Sequence, residues 1–411
     1  MTFWLRLKYL ALLPLLSLGN VSAAEFTASS AGAHALRHNP DLAAARWRIE
    51  ETRARLQQAG RRANPELQVE AGHNAKFREG SVMVGLVQKF PATARLRLEK
   101  EVSQALVEAA EAEVRVAERE VVLAVRQLFI KALALEAQAE LRARQLANAR
   151  ELSAFAAKRA ESGEVSSLEA TQFELEAQQS TVEGQQVEVE KSAVLGELRP
   201  LLGLGSEVTL RLKGSLTVPR AMTVGVVPAT RPEYQAAERN ELTAQLSIDL
   251  EKSRWREDIS AGLFLGGERT EDAPDGLQND GLIGVRLSIP LPLWNKNEGK
   301  IQEATATAAR RQAEKQALAQ RIRAESKAAE ARMRTLATFV ENIDSRLLPK
   351  VAELEDQLRA SYSAGQTPLI DVLRARDRRL QLEKARLGAV RDFHLIQASL
   401  GLDLPDGEGK P

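Results

Sequence analysis

Ser361-Tyr362-Ser363-Ala364-Gly365-Gln366-Thr367-Pro368-Leu369-Ile370-Asp371-Val372-Leu373 separates two long stretches of helical periodicity. Upstream of it, Met333, Leu336, Val340, Ile343, Leu347, Val351, Leu354 and Leu358 recur in steps of three and four, which places them on one buried helical face. Downstream, Leu369, Val372, Leu373, Leu380, Leu382 and Leu387 are spread among Arg, Glu and Gln. Gly365 supplies the backbone freedom that a helix end needs, while Thr367 reads as an N-cap and Pro368 as a first-turn proline. The stretch is therefore the turn of a helical hairpin with a long first arm. Glu161-Ser162-Gly163-Glu164-Val165-Ser166-Ser167 is a second turn of the same kind, and Gly163 precedes Gly365 by 202 residues.

Other landmarks repeat at nearly the same offset. Pro40 and Pro232 are 192 apart, Pro91 and Pro290 are 199 apart, and Gly203 and Gly401 are 198 apart. An interval of this length is a duplicated module of domain size rather than a short solenoid unit. The organisation expected is a leader over 1–24, a first repeat over 25–205, a connector over 206–230, a second repeat over 231–403 and a disordered tail over 404–411.

Within each repeat the periodicity changes from helix to strand and back. Asn39 caps a helix that Pro40 opens, running through Leu42, Ala45, Ile49 and Leu56 to about Gly60. After Asn64-Pro65 the period becomes two: Leu67, Val69 and Ala71 alternate with Gln68, Glu70 and Gly72, then Val82, Val84 and Leu86 with Met83, Gly85 and Val87. Pro91 ends this hairpin (strands about 66–90). A run without Pro or Gly then extends from about Ala92 to Arg159, enough for a helix of roughly 100 Å. The second repeat follows the same plan. Ile259, Ala261, Leu263 and Leu265 face one way, as do Ile283, Val285, Leu287 and Ile289 (strands about 259–290). Gly284, Arg286 and Ser288 face the other way, and an acidic loop over 268–280 joins the strands. The last long helix is expected to kink at Pro349, and the tips lie at about 161–167 and 362–368.

Composition narrows the class. The 411 residues are 44% hydrophobic but only 4% aromatic, and 57 basic residues are nearly balanced by 56 acidic ones. Long helices and coiled coils fit this make-up. No basic stripe argues for nucleic acid. There are no cysteines, which excludes disulfides, Cys-based zinc sites and a lipid-modified Cys. Arg6 and Lys8, the apolar run Tyr9–Leu18 and the small residues Val21-Ser22-Ala23-Ala24 read as a cleaved secretory signal, too short to span a bilayer. No later segment approaches 18 apolar residues, so an exported chain without a transmembrane helix is expected.

Two strands per repeat leave a four-stranded sheet with bare edges and an uncovered apolar face. In a membrane such edges are prohibitive, because every backbone group needs a partner there. Closure into a barrel then requires an oligomer, with 8, 12 or 16 strands for two, three or four chains. A small soluble sheet capping a coiled coil is the alternative.

These features resemble the TolC-like outer-membrane efflux proteins. The matching stretches are Asn39-Pro40-Asp41-Leu42-Ala43-Ala44-Ala45-Arg46, Asn64-Pro65-Glu66-Leu67, Gly85-Leu86-Val87-Gln88-Lys89-Phe90-Pro91 and Pro290-Leu291-Pro292-Leu293-Trp294-Asn295-Lys296-Asn297-Glu298-Gly299. The most specific is Tyr362-Ser363-Ala364-Gly365 leading to Leu369-Ile370-Asp371-Val372-Leu373. The first half is most similar to the heavy-metal (cobalt-zinc-cadmium type) efflux branch.

The resemblance implies a mainly α protein with a small β part: a homotrimer whose 12-stranded barrel sits in outer-membrane lipid and continues into a periplasmic helical barrel. It implies an exit duct that works with a periplasmic adaptor and an inner-membrane pump. The adaptor would dock on the tips, at Gly163, Glu164, Val165 and Ser166 and at Gly365, Gln366, Thr367 and Pro368. A gate at the periplasmic mouth would use Asp371 as a ring carboxylate and Tyr362 with Glu169 as a tie. The family's second ring aspartate falls on Arg374, and an arginine tie falls on Thr367, so the gate has fewer charges here or uses an Asp371–Arg374 pair. Read without the family, Asp371 is a carboxylate in the first turn of a helix, favoured by the helix dipole.

No enzyme chemistry is visible: there is no phosphate loop, nucleophile elbow or HExxH. His34 and His38 stand four apart, but neither they, His73 nor His394 has a carboxylate cluster beside it, so no metal site and no cofactor is expected. The charge run Arg374–Arg379 reads as a solvated helix face. Two other readings stay open beside the small-solute duct: a periplasmic coiled-coil structural or adaptor protein without a pore, and the channel of a protein secretion system.

Overall fold

The computed structural model describes residues 24–402 apart from 76–77, 221, 223–224 and 273–275. The leader up to 23 and the tail from 403 lie outside the described residues. The first repeat contains β1 (Ala24–Phe26), α1 (Ala28–His38), α2 (Pro40–Gln58), β2 (Glu66–His73), β3 (Gly80–Phe90), α3 (Arg95–Glu161) and α4 (Ser167–Leu201). The connector carries β4 (Leu210–Leu212). The second repeat contains α5 (Pro232–Ser253), β5 (Ile259–Asp272), β6 (Gly276–Ser288), α6 (Glu298–Asn342), α7 (Leu348–Ser363) and α8 (Leu369–Ser399).

Local chemistry places these boundaries. Asn39 is the N-cap of α2: its side-chain oxygen accepts the Leu42 amide at 3.0 Å, and Pro40 fills the first helical position. The Asn39 amide also donates to the Leu201 carbonyl at 3.0 Å, tying the start of α2 to the end of α4. Four helix ends close identically on a left-handed glycine: Gly163, Gly203, Gly365 and Gly401, with φ between 68° and 78°. At each, the glycine N–H returns to a carbonyl three residues back, and the next N–H to one five residues back. The pairs are Gly163–Ala160 with Glu164–Arg159, and Gly365–Tyr362 with Gln366–Ser361. Gly203–Pro200 with Leu204–Arg199 and Gly401–Ala398 with Leu402–Gln397 complete the set. This is the Schellman arrangement. The duplication is thus visible bond by bond.

Helix α3 has 67 residues, a rod of about 100 Å, and packs along α2, α4, α5 and α8. The equivalent rod of the second repeat is continuous through α6 and α7 but is interrupted at Ile343–Leu347 by a π segment, where the Leu348 N–H reaches the Ile343 carbonyl. The irregularity lies just before Pro349, where a kink is expected from the sequence. The proline has no N–H for the carbonyl four residues back, and a widened turn just before it absorbs the defect. The largest cluster of buried side chains gathers where α1, α3, the end of α4 and the β1–β4 pair meet, around Val125, Phe129, Leu198 and Leu202.

Strands β2, β3, β5 and β6 form one antiparallel sheet in that order. The register puts Leu67, Leu86, Leu263 and Val285 in one row, and Val69, Val84, Leu265 and Ile283 in the next. This band is exposed, from 43% at Val84 to 80% at Val285. Among the described residues the outer edges of β2 and β6 pair with nothing. One expectation needs correction. The acidic stretch 268–280 is mostly strand, with Glu268 opposite Asp280 and Arg269 opposite Asn279, because a ladder of backbone bonds does not need apolar side chains. Ala24–Phe26 forms a parallel strand on Leu210–Leu212, a pairing without a signature in the sequence.

Candidate gate at the helical tips

The two turns lie together at one end of the long helices. Leu152 and Ala156 of α3, Phe173 of α4, Tyr362 of α7, and Leu369 and Val372 of α8 pack into one cluster. Its centre is Tyr362, 4% exposed, whose ring lies 5.9 Å from that of Phe173. The Tyr362 hydroxyl donates to Glu169 Oε1 at 2.9 Å. Burial, reinforced by this bond to a carboxylate, pushes the Tyr362 phenol up to about 12. It therefore remains a donor throughout the physiological range.

Ser166 presents Glu169. Its hydroxyl accepts the Glu169 amide at 3.2 Å as the N-cap of α4, so the carboxylate stands in the first turn, where the helix dipole favours it. Val165 and Ser166 thus belong to the structure that aims Glu169, while Gly163 makes the turn. Glu164 folds back on the same tip: Arg159 Nε donates to Glu164 Oε2 at 2.9 Å, and Ser162 Oγ to Glu164 Oε1 at 3.1 Å. The Arg159 bond holds the Glu164 carboxyl below its ordinary value.

Arg159 is the residue that sequence reasoning missed. Its guanidinium carbon stands 5.8 Å from the Tyr362 ring centre and 5.6 Å from that of Phe155, and its Nη1 donates to the Tyr362 carbonyl at 3.4 Å. It links the first tip to the second. The only sequence signal was its position one turn before Gly163, equivalent to Ser361 in the other repeat.

The second tip departs from expectation at its cap. Pro368 itself occupies the N-cap position of α8 without a side-chain bond, and Thr367 turns its hydroxyl back to that of Ser361. A proline at that position leaves Thr367 one residue too early to cap the helix, so its hydroxyl closes the Gly365–Gln366 turn instead. Asp371 lies in the first turn of α8 and pairs with Arg374 at 3.5 Å. Both side chains are well exposed, so the pair contributes little energy within one chain. The structure brings Tyr362 and Glu169 together and Asp371 and Arg374 together, as two separate pairs.

The histidines are dispersed. His34 and His38 stack with ring centres 4.1 Å apart, and His394 is buried against the Thr217 carbonyl and Gln397. Among the described residues no group of three or more His, Asp or Glu is placed to hold a metal ion, and no helix is long and apolar enough to cross a membrane.

Residues 32–203, nearly the whole first repeat, match the outer membrane efflux protein family. Among curated proteins, no sequence matches the chain. Among solved structures, a membrane protein from Pseudomonas aeruginosa is similar at 18% identity and a TM-score of 0.75, covering 91% of this chain and 92% of that one. The outer membrane protein VceC from Vibrio cholerae is similar at 17% identity and 0.72, covering 91% and 94%. CusC, whose structures concern transmembrane channel formation, is similar at 18% identity and 0.71, covering 91% and 90%. The first repeat thus matches the outer membrane efflux protein family, and over nine-tenths of the chain the fold is that of these solved outer-membrane proteins.

Proposed function

We propose that the protein is the exit duct of a tripartite efflux system, a homotrimer in the outer membrane of a Gram-negative-type cell that reaches into the periplasm. The observation that carries this reading is the sheet: both edges bare, one face apolar and exposed, and the whole rooted on helices of about 100 Å. In water such a sheet is an aggregation hazard, and in lipid it needs closure by further strands. Strands of 8 to 14 residues suit a tilted barrel. Phe90 at the end of β3, Trp255 just before β5 and Trp294 just after β6 gather at the helical end of the sheet, where an aromatic girdle belongs.

The helical body carries its own sign of further copies. Leu168, Leu175, Val182 and Val189 are 62–69% exposed on α4 and recur every seven residues, the period of a coiled-coil seam. Among the described residues no helix of the same chain covers them; a neighbouring copy would.

In this reading the tips meet the adaptor, with Gly163, Glu164, Val165 and Ser166 and the Gly365–Pro368 loop as docking surface. Tyr362–Glu169 holds the mouth shut, and three copies of Asp371 surround the axis, each beside an Arg374. The inner-membrane pump supplies energy and substrate choice. Metal cations or small toxic compounds are the cargo; the wording of the first repeat, most similar to the heavy-metal branch, supports cations. Deleting the gene and restoring it on a plasmid tests the cargo. Hypersensitivity to divalent metals, reversed by the plasmid, is expected; hypersensitivity confined to organic drugs would refute the cation assignment.

A further inference from the structure

The face of the sheet opposite the apolar band is built in layers. Gly85, Phe264 and Gly284 share one row of β3, β5 and β6. The Phe264 ring lies flat over Gly85, so closely that a Cβ there would stand 2.1 Å from the ring, and Phe264 is 5% exposed. Arg286 of β6 stacks on that ring, its guanidinium carbon 4.1 Å from the ring centre. From there it forks onto Glu70 of β2, with Nη1 2.9 Å from Oε1 and Nη2 3.2 Å from Oε2. Strands β2 and β6 are the two outer strands, roughly 14 Å apart across β3 and β5 at ordinary strand spacing. The pair therefore bridges the entire concave face of one chain. Lys89 and Glu66 form a second pair on this face, at 2.7 Å.

We propose that the Arg286–Glu70 bridge, stacked on Phe264, lines the lumen of the barrel and sets the charge that permeating ions meet there. The inference rests on the duct reading, which turns Ile283, Val285 and Leu287 to lipid and therefore Arg286 to the pore. Paired, the two groups leave the wall neutral. Broken, they leave one sign repeated around the axis, and rings of one sign decide ion preference in pores.

The protein offers a direct test, because its 411 residues include no cysteine. Arg286→Cys, Glu70→Cys and Val285→Cys each carry a single thiol. A membrane-impermeant charged thiol reagent should modify the first two and reduce their current in planar bilayers, and should spare the third. Under a KCl gradient, Arg286→Ala should move the reversal potential toward that of potassium and Glu70→Ala toward that of chloride. Arg286→Lys, which keeps the charge, should leave it in place and shows that the barrel still assembles. Reversal potentials of both alanine variants equal to wild type would overturn the proposal. So would labelling of Val285→Cys with protection of Arg286→Cys. Absence of current in the wild type and in Asp371→Ala alike would instead fault the duct reading, and the labelling pattern would still decide which face is wet.

Discussion

Tyr362→Phe removes one oxygen from the centre of the tip cluster and leaves the ring contacts with Phe173, Leu369 and Val372 in place. The bond lost is a 2.9 Å donation to a carboxylate from a side chain that is 4% exposed. Hydrogen bonds to charged groups contribute about 1.5–3 kcal/mol. Glu169 is only partly buried and can rehydrate when the donor is gone, which selects the lower end, about 1.5 kcal/mol. If the tie exists only while the tips are together, each of the three copies should favour opening about tenfold, so the open fraction of the channel should rise at least tenfold. Single-channel recording of the purified trimer in planar bilayers measures this fraction. Glu169→Gln should reproduce the effect, and the double variant should add little to either single change, as expected for partners in one bond. An open fraction within twofold of wild type in Tyr362→Phe, with unchanged thermal unfolding, would refute the tie as a closing element.

The same tyrosine makes a pH prediction. A folded-state value raised to about 12 from 10.0 means that the neutral phenol stabilises the fold below pH 10 and that this contribution is lost as pH rises through about 12; wild type minus Tyr362→Phe should show tyrosinate absorbance appearing about two pH units later than in the unfolded chain. Leu175→Glu puts a charge into the exposed seven-residue stripe and removes roughly 1.5–3 kcal/mol of burial at each seam; cross-linking of detergent-extracted protein should show monomers, and intact trimers would deny that the stripe is an interface. Val285→Arg on the lipid-facing band should cost roughly 2–4 kcal/mol near mid-membrane; a drop in heat-stable trimer recovered from the outer membrane is the readout, and normal recovery would contradict the orientation of the sheet.

The large plan was legible because each of its elements has a strong local signature. Period-two alternation at Val82–Leu86 and Ile283–Leu287, the Pro91 and Pro290 stops, and the four glycines at helix ends are local events that survive into the structure unchanged. Tyr362 and Glu169, 193 residues apart in sequence, stand within hydrogen-bond distance. What stayed hidden depends on partners distant in the chain or on patterns too short to read. Three residues of β1 show no period, and their partner Leu210–Leu212 lies in the connector. The acidic hairpin end looks like a loop because its pairing is purely backbone. Arg159 gains meaning only when α3 and α7 are side by side, and Arg286 only when β6 curls toward β2. At Thr367 the sequence signal of a cap was overridden by Pro368, which takes the capping position itself.

The central claim is that this chain forms a conducting pore through the outer membrane. Planar-bilayer recording of the purified, detergent-extracted protein tests it most directly. Discrete ion currents from a trimer are expected, small in wild type and larger after Tyr362→Phe or Asp371→Ala. A stable trimer that carries no current, with Asp371→Ala equally silent, would contradict it.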